Sequence, residues 1–345
     1  MKNWTWIFIL GVGMILAGPL GAEFQQGYPT YDEMMNEVQA LADQHPDLVR
    51  IKEYGKSVEG RTLLFLHISR DHSVKRPAAM ICANIHGNEM IGNRIALAIA
   101  SRLVEDDGKD PWIGSLLDKM EFWINPCINP DGFYKTVEMV QAGDYRGHRK
   151  NAHDVDLNRN FTMPGPRRLK INWAGSPDPE SSNYHGPHQA SEPEVQALEA
   201  FLYEHPVFAS INYHSVVGVL FPARCLSRCC VRRTRDMGRA YQEHQPNVRY
   251  TYMRWPKWVD TFTGEMEDLQ YWEHGTLAID IELGKPGMNK KDWGRKESFF
   301  QFNPRDIDFW IENDRDAAIH AMERAYEITG GKPIPPRERC LSRCP

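Results

Sequence analysis

Apolar and polar residues recur along this chain with two different periods, and the places where the period changes mark its elements. Thr30 stands as an N-cap before Asp32 and Glu33, Met35, Val38 and Leu41 follow at helical spacing, and His45-Pro46 ends the run, so a helix is predicted there. Short β-rich runs at 49–54, 62–69 and 78–86 predict strands, and the apolar pattern of 91–104 predicts a helix. Further apolar runs at 122–129, 208–214 and 277–283 alternate with helix-like segments near 192–203 and 305–329. Strands alternating with helices predict an α/β fold: one domain with a mixed, mostly parallel sheet and helices on both faces. Residues 161–193 are rich in Pro, Gly, Ser and Asn and read as surface loop, and no linker elsewhere splits the chain.

The first residues follow a different pattern. Lys2 precedes an apolar run over 4–16, then small residues and a breaker in Ala17-Gly18-Pro19-Leu20-Gly21-Ala22. This reads as a secretory signal peptide over 1–22, too short to span a bilayer comfortably, with a mature chain beginning near Glu23. The expected organisation is a globular domain over 23–330 and a Pro- and Cys-rich tail over 331–345, secreted or periplasmic, with no membrane attachment after cleavage. Composition narrows the partners. The 345 residues carry 41 Lys+Arg against 46 Asp+Glu, a net charge of −5, and so lack the basic excess that nucleic-acid binding demands. With 10 Trp, 13 Tyr and 14 Phe the chain can form a large core, which excludes disorder as its main state.

One repeat stands out: Arg224-Cys225-Leu226-Ser227-Arg228-Cys229 recurs as Arg339-Cys340-Leu341-Ser342-Arg343-Cys344. The two C-x3-C pairs fit either disulfides, which an oxidising compartment favours, or a four-thiolate zinc site, and Cys230 is left over on this reading. Cys82 and Cys127 lie in apolar runs and read as buried, inert thiols.

Chemistry concentrates at the ends of the predicted strands. His86-Gly87-Asn88-Glu89 closes an apolar strand and opens a helix, which puts an imidazole and a carboxylate at the carboxyl edge of a sheet. His-x-x-acid also occurs at His153/Asp156 and His320/Glu323, but only the pair His86 and Glu89 has the strand-end context. Distant segments add polar groups: Asn129-Pro130-Asp131-Gly132 after a strand, Asp156-Leu157-Asn158-Arg159-Asn160-Phe161, Asn212-Tyr213-His214-Ser215 at a strand end, and Ile279-Asp280-Ile281-Glu282-Leu283. A catalytic zinc needs three protein ligands and an open position, which His86, Glu89 and His214 supply. Glu282, a carboxylate inside an apolar strand, is a candidate base.

In this order the motifs resemble the zinc metallocarboxypeptidases. Glu53-Tyr54-Gly55-Lys56-Ser57-Val58-Glu59-Gly60-Arg61 and Ser191-Glu192-Pro193-Glu194 match too, so the resemblance covers about 28–328. The 55–61 stretch and Asp107-Gly108-Lys109-Asp110-Pro111 look most like the regulatory subgroup related to carboxypeptidases D, E and N. The resemblance implies one catalytic Zn2+ on His86, Glu89 and His214, Glu282 as general base, and Arg149 polarising the scissile carbonyl. It also implies Asn158 and Arg159 on the terminal carboxylate of a peptide or protein substrate, and Asp156 orienting the first zinc histidine.

Against the family pattern, the chain is expected to lack the digestive subgroup's long pro-segment and the regulatory subgroup's C-terminal β-sandwich. The tyrosine that closes over substrate has no clear match, with Asp260 near its place and Tyr250, Tyr252 and Trp258 nearby. Glu267 falls by resemblance on a pocket-floor position and favours a C-terminal Lys or Arg. Arg224 falls near a second pocket position and favours Glu or Asp. A murein-peptide amidase acting on cell-wall peptides, another zinc amide hydrolase, and a silent peptide-binding relative are the alternatives. The intact set of His86, Glu89, His214, Arg149 and Glu282 argues against the last.

Overall fold

The computed structural model describes residues 27–163, 175–224, 228–253, 264–285 and 298–339. Along the chain these form α1 (Tyr31–Gln44), β1 (Val49–Lys56), β2 (Thr62–Ile68), β3 (Ala78–Ala83), α2 (Ile91–Glu105), α3 (Pro111–Lys119), β4 (Glu121–Asn125) and α4 (Pro130–Gln141). They continue with α5 (Pro193–Glu204), β5 (Ala209–Ser215), β6 (Val219–Pro222), α6 (Arg228–Glu243), β7 (Thr251–Tyr252), α7 (Met266–Leu269), β8 (Leu277–Leu283) and α8 (Ile307–Thr329). The strands make one mixed sheet in the order β1-β2-β4-β3-β5-β8-β6-β7. Its middle, β4-β3-β5-β8, is parallel, and antiparallel pairings join β2 and β6 to it. This is the mixed sheet with flanking helices that the alternation of patterns predicts.

Burial explains why the parallel strands sit in the middle. Every residue of β3, β4 and β5 is buried, as strands covered on both faces require. Alternate side chains enter two different cores: Ala79, Ile81 and Ala83 of β3 join the one packed under α2 and α8, whereas Met80 and Cys82 join the one under α5. The edge strand β1 is largely polar and half-exposed. The first helix forms as its sequence signals require, with Thr30 and Glu33 closing a capping box and Tyr31, Met34, Val38 and Leu41 buried on one face. Cys82 and Cys127 are buried free thiols, and burial pushes both well above the ordinary thiol range. Among the described residues no helix is long and apolar enough to cross a membrane.

Two predicted strands end several residues early, both because turn chemistry takes over. The run 78–86 is strand only to Ala83. Asn84 takes a left-handed conformation (φ 56°), and its side-chain amide donates to the His86 carbonyl at 2.9 Å and the Glu89 carbonyl at 3.2 Å. The run 122–129 is strand only to Asn125, and Asn129 instead caps α4 by accepting from the Gly132 amide at 2.8 Å. These two turns press against each other: a Cβ on Gly87 would overlap the Gly132 backbone. Gly87→Ala is therefore expected to cost about 2–3 kcal/mol, seen as a lowered unfolding midpoint. Zinc loss should accompany it, because the substitution moves the turn between His86 and Glu89.

Candidate metal centre and active site

β3, β5 and β8 are neighbours, and the chain leaves β3 in one direction for β4 and returns to β5 on the other side. Such a reversal opens a crevice at the carboxyl ends of the strands. His86 and Glu89 lie in the turn after β3, and His214 lies near the end of β5. Glu282 of β8 is the direct register partner of His214. Parallel register partners project to the same face, so the candidate base stands beside a candidate ligand.

The three candidate ligands converge. His86, Glu89 and His214 each offer a ligand atom within 4.8 Å of the others. Nδ1 of His86 is 2.8 Å from Glu89 Oε1, Nδ1 of His214 is 3.2 Å from Glu89 Oε2, and the two Nδ1 atoms are 3.2 Å apart. The far nitrogen of His86, Nε2, faces Asp156 Oδ1 at 3.2 Å, while Arg149 Nη1 lies 3.1 Å from its Nδ1. A carboxylate only accepts, so Asp156 takes a proton from Nε2, and Nδ1, which faces Glu89, would give its lone pair to an ion held there. Two imidazole lone pairs and a carboxylate gathered at this spacing fit zinc, which takes such ligands at about 2.0–2.2 Å.

Each ligand is held from behind. Arg149 clamps Asp156 Oδ2 with Nε and Nη2 at 3.0 and 2.9 Å, and Asp156 Oδ1 also accepts from the Asn158 amide at 3.1 Å. Burial alone would raise the Asp156 carboxyl, but Arg149 and His86 outweigh it and hold the group well below the usual carboxylate range. Burial likewise opposes ionisation of Glu89, and the His86 and His214 rings overcome it. Glu89 sits just before α2, whose N-cap, Met90, has no capping side chain. Asn303 caps it from a distant segment: its Oδ1 accepts from the Met90 and Ile91 amides at 2.6 and 3.1 Å, and its Nδ2 donates to the Asn88 carbonyl at 2.8 Å.

Glu282 is half-buried, and its carboxyl is pushed up to about 7, first by burial and then by the negative Glu89, against the pull of His214 and Arg149. His214 is raised to about 9: burial lowers it, but Glu89, Asp280 and Glu282 more than compensate. Asp280, to which the sequence pattern gave no role, lies 3.6 Å from His214 Nε2 and accepts from Asn212 Nδ2 at 2.8 Å. It therefore stands behind the second histidine as Asp156 stands behind the first. The signal for it was present, since residues two apart on a strand share a face and Asp280 and Glu282 are two apart. Asn303 had no such signal.

The remaining candidates border the same crevice. Asn158 Nδ2 lies 3.5 Å from His214 Nε2, and its Oδ1 accepts from the Met266 amide at 2.9 Å. The Arg159 guanidinium is half-buried, donates to the Asn158 carbonyl at 2.6 Å and lies 3.5 Å from Glu265. Glu267 and Arg224 are both buried rather than turned to solvent. Glu267 hydrogen-bonds Asp280, while the Arg224 amide donates to Asp268 at 2.7 Å and its carbonyl accepts from Trp272 at 3.2 Å. Tyr250 and Tyr252 are buried with their hydroxyls on Asp314 and Thr234, at 2.7 and 2.9 Å, so neither serves as the substrate-closing tyrosine. Trp258 and Asp260 lie outside the described residues.

Residues 34–314 match the zinc carboxypeptidase family, and the chain belongs to it. Carboxypeptidase A5 of Macaca fascicularis is 34% identical over 200 residues, 54% of this chain and 43% of that protein. Bos taurus carboxypeptidase A1 is 32% identical over 194 residues, 54% and 44% of the two chains. Mus musculus carboxypeptidase M is 34% identical over 157 residues, 44% and 34%. This chain thus spans less than half the length of these curated relatives. Its fold superimposes on thrombin activatable fibrinolysis inhibitor with a TM-score of 0.70 at 24% identity, covering 87% of this chain and 74% of the other. Carboxypeptidase A from Helicoverpa armigera gives 0.68 at 23%, covering 88% and 74%. Family and donor set agree on zinc.

Removing a ligand and removing the support behind one should differ in a measurable way. His214→Ala is expected to lose most of the metal, measured by atomic emission after dialysis. Asn303→Ala should keep stoichiometric zinc in excess metal but release it faster to a chelator, and should cost about 1–2 kcal/mol in stability. Equal chelation rates for Asn303→Ala and wild type would show that the cap does not hold Glu89.

Proposed function

We propose that this protein is a secreted or periplasmic zinc carboxypeptidase that removes the C-terminal residue of peptides or proteins. The observation that carries the reading is the convergence of His86, Glu89 and His214 with Glu282 in register beside them and Asn158 and Arg159 alongside. When bound, zinc supplies a Lewis acid that acidifies water and polarises a carbonyl. Glu282 takes the proton of the attacking water and returns it to the departing amine, a role suited to a carboxyl raised to about 7. Arg149, fixed by Asp156, presents Nη1 beside the ligands and stabilises negative charge developing on the carbonyl oxygen. Asn158 and the Arg159 fork bind the substrate's free carboxylate. Asp156 and Asp280 hold the two histidines in their working tautomers.

We place the catalytic domain over 23–330, after a signal peptide over 1–22 and before a tail over 331–345. Export is supported by Cys229 and Cys230 of α6, which are both disulfide-bonded. Cys230 is then not left over, contrary to the pairing expected from the repeat, while Cys225, Cys340 and Cys344 lie outside the described residues.

Glu282→Gln should retain zinc and fold but lose turnover by about a hundredfold or more, because an amide cannot accept the proton. In the wild type, kcat/KM should fall as pH drops through the value of Glu282. A cation held by Glu89 favours the ionised form of Glu282, so that limb lies at or below about 7. Peptides with amidated C-termini should be poor substrates, and Arg159→Ala should weaken only free-acid substrates. Equal cleavage of amidated and free peptides would replace this reading with an amidase or endopeptidase.

Glu267 and Asp280 further suggest a C-terminal Lys or Arg as the preferred residue. Two hydrogen-bonded carboxyls share a proton, which leaves one negative charge on the pocket floor. Peptides ending in Lys should exceed those ending in Glu by about tenfold or more in kcat/KM, and Glu267→Gln should reduce that ratio. A Glu preference that disappears in Arg224→Gln would instead make Arg224 the selecting group.

A further inference from the structure

The outer face of α6 works against its own helix. Arg228, Arg232, Arg235 and Arg239 are all exposed. At about 100° per residue they fall within an arc of about 60°, and they extend about 16 Å along the axis. Successive members are three or four residues apart, where like charges repel and destabilise a helix. The first turn of α6 holds no acidic residue, although positive charge is unfavourable at that end. In contrast, α1, α4 and α8 place Asp32 and Glu33, Asp131 and Asp308 in their first turns. Asp236 at the edge of the arc and Glu243 one turn beyond Arg239 are the nearest acids on the helix. None of the four arginines makes an ion pair with a described residue. This row stands on a chain whose net charge is −5.

We propose that the α6 stripe is a docking surface for a linear sulfated polysaccharide. The guanidinium fork matches tetrahedral oxyanions in pairs of hydrogen bonds. Neighbouring charges about 5–6 Å apart along the axis lie within one screening length, so the stripe acts as a single linear field. Between Arg228 and Glu243 the exposed residues are those four arginines and Glu243. The stripe therefore has no aromatic face on which bases stack, as single-stranded nucleic acid needs, and no apolar side chain to enter a membrane interface. An extended chain of sulfates relieves the repulsion along the helix and demands nothing else from the surface. Such chains lie outside cells, so the biological setting rests on the secreted form of the proposed export, but the binding does not.

The test uses the zinc-loaded, full-length protein with heparin as the probe. Wild type should bind heparin, and its affinity should fall about fiftyfold or more between about 50 and 200 mM salt, as the release of counterions at four contacts requires. The combined variant Arg228→Gln, Arg232→Gln, Arg235→Gln, Arg239→Gln should elute from heparin at much lower salt, with a shallow salt dependence and an unchanged kcat/KM on a short peptide. If that variant does not fold, Arg232→Gln and Arg235→Gln singly should each lower the elution salt. Elution of the variants with wild type overturns the proposal. So does tighter binding of wild type to phosphatidylserine vesicles or to a DNA duplex than to heparin at the same salt. Absence of peptidase activity in wild type and variant alike would count against the proposed function and leave the heparin comparison intact.

Discussion

The active centre depends on one buried carboxylate. Asp156 is fully inaccessible to solvent, and an isolated ion there would cost several kcal/mol. It is not isolated: Arg149 clamps one oxygen, and His86 and the Asn158 amide occupy the other. Each partner is fixed in turn by satisfying Asp156. His86 is held with its lone pair toward the metal ligands, Arg149 with its remaining nitrogen beside them, and the short turn carrying Asn158 and Arg159 with its start capped. A candidate ligand, the cation proposed to face the oxyanion and the two groups proposed to hold the terminal carboxylate are thus all indexed to a single charge. Exchange of Asp156 for a neutral residue would leave Arg149 partly buried without its clamp and free the His86 ring to change tautomer.

Asp280 repeats the arrangement on the other side. Its contacts with His214 and Asn212 tie the second ligand to the neighbouring strand, and its bond to Glu267 links that strand to α7. The second ligand and the proposed pocket floor therefore share a hydrogen-bonded carboxyl. Substitution at Glu267 can be felt at the metal as well as at the substrate side chain, through Asp280. Glu89 is supported differently. Its backbone belongs to the turn shaped by Asn84, its Oε2 accepts from the Ser215 amide at 3.1 Å, and the helix it precedes is capped by Asn303. Four separate segments of the chain must come together before the three ligands do.

How far the sequence reveals this differs residue by residue. His86, Glu89, His214 and Glu282 were legible because each sits where an apolar run ends or is interrupted, and burial of a charged group there needs a reason. Asp280 was equally anomalous but was overshadowed by Glu282; only the register of β8 against β5 separates their tasks. Asn303 acts across more than two hundred residues, and an isolated asparagine has no periodic pattern to betray it. The strand core followed from apolar runs, whereas α6 did not. Its buried side, with Cys229, Cys230, Thr234, Met237, Gly238 and Tyr241, holds few strongly apolar residues and is masked in the sequence by arginines on the other side. Tyr250 and Tyr252, near the unassigned substrate-closing position in sequence, have hydroxyls claimed by the buried Asp314 and Thr234, which no local pattern reveals.

Charge explains why these side chains form a metal centre rather than a buried salt-bridge cluster. Glu89, Asp156, Asp280 and Glu282 face the crevice together, and Arg149 is the permanent cation among them that the contacts identify. Protonation can lower the imbalance, and the surrounding carboxylates raise the proton affinity of both His214 and Glu282. A doubly charged ion held by His86, Glu89 and His214 would lower it without them, and would favour the neutral form of His214 and the ionised form of Glu282. Metal affinity is thereby coupled to folding and to pH. The same side chains that make a metal-free crevice electrostatically poor thus favour a loaded one, in which the proposed base, Glu282, would stand beside a Lewis acid.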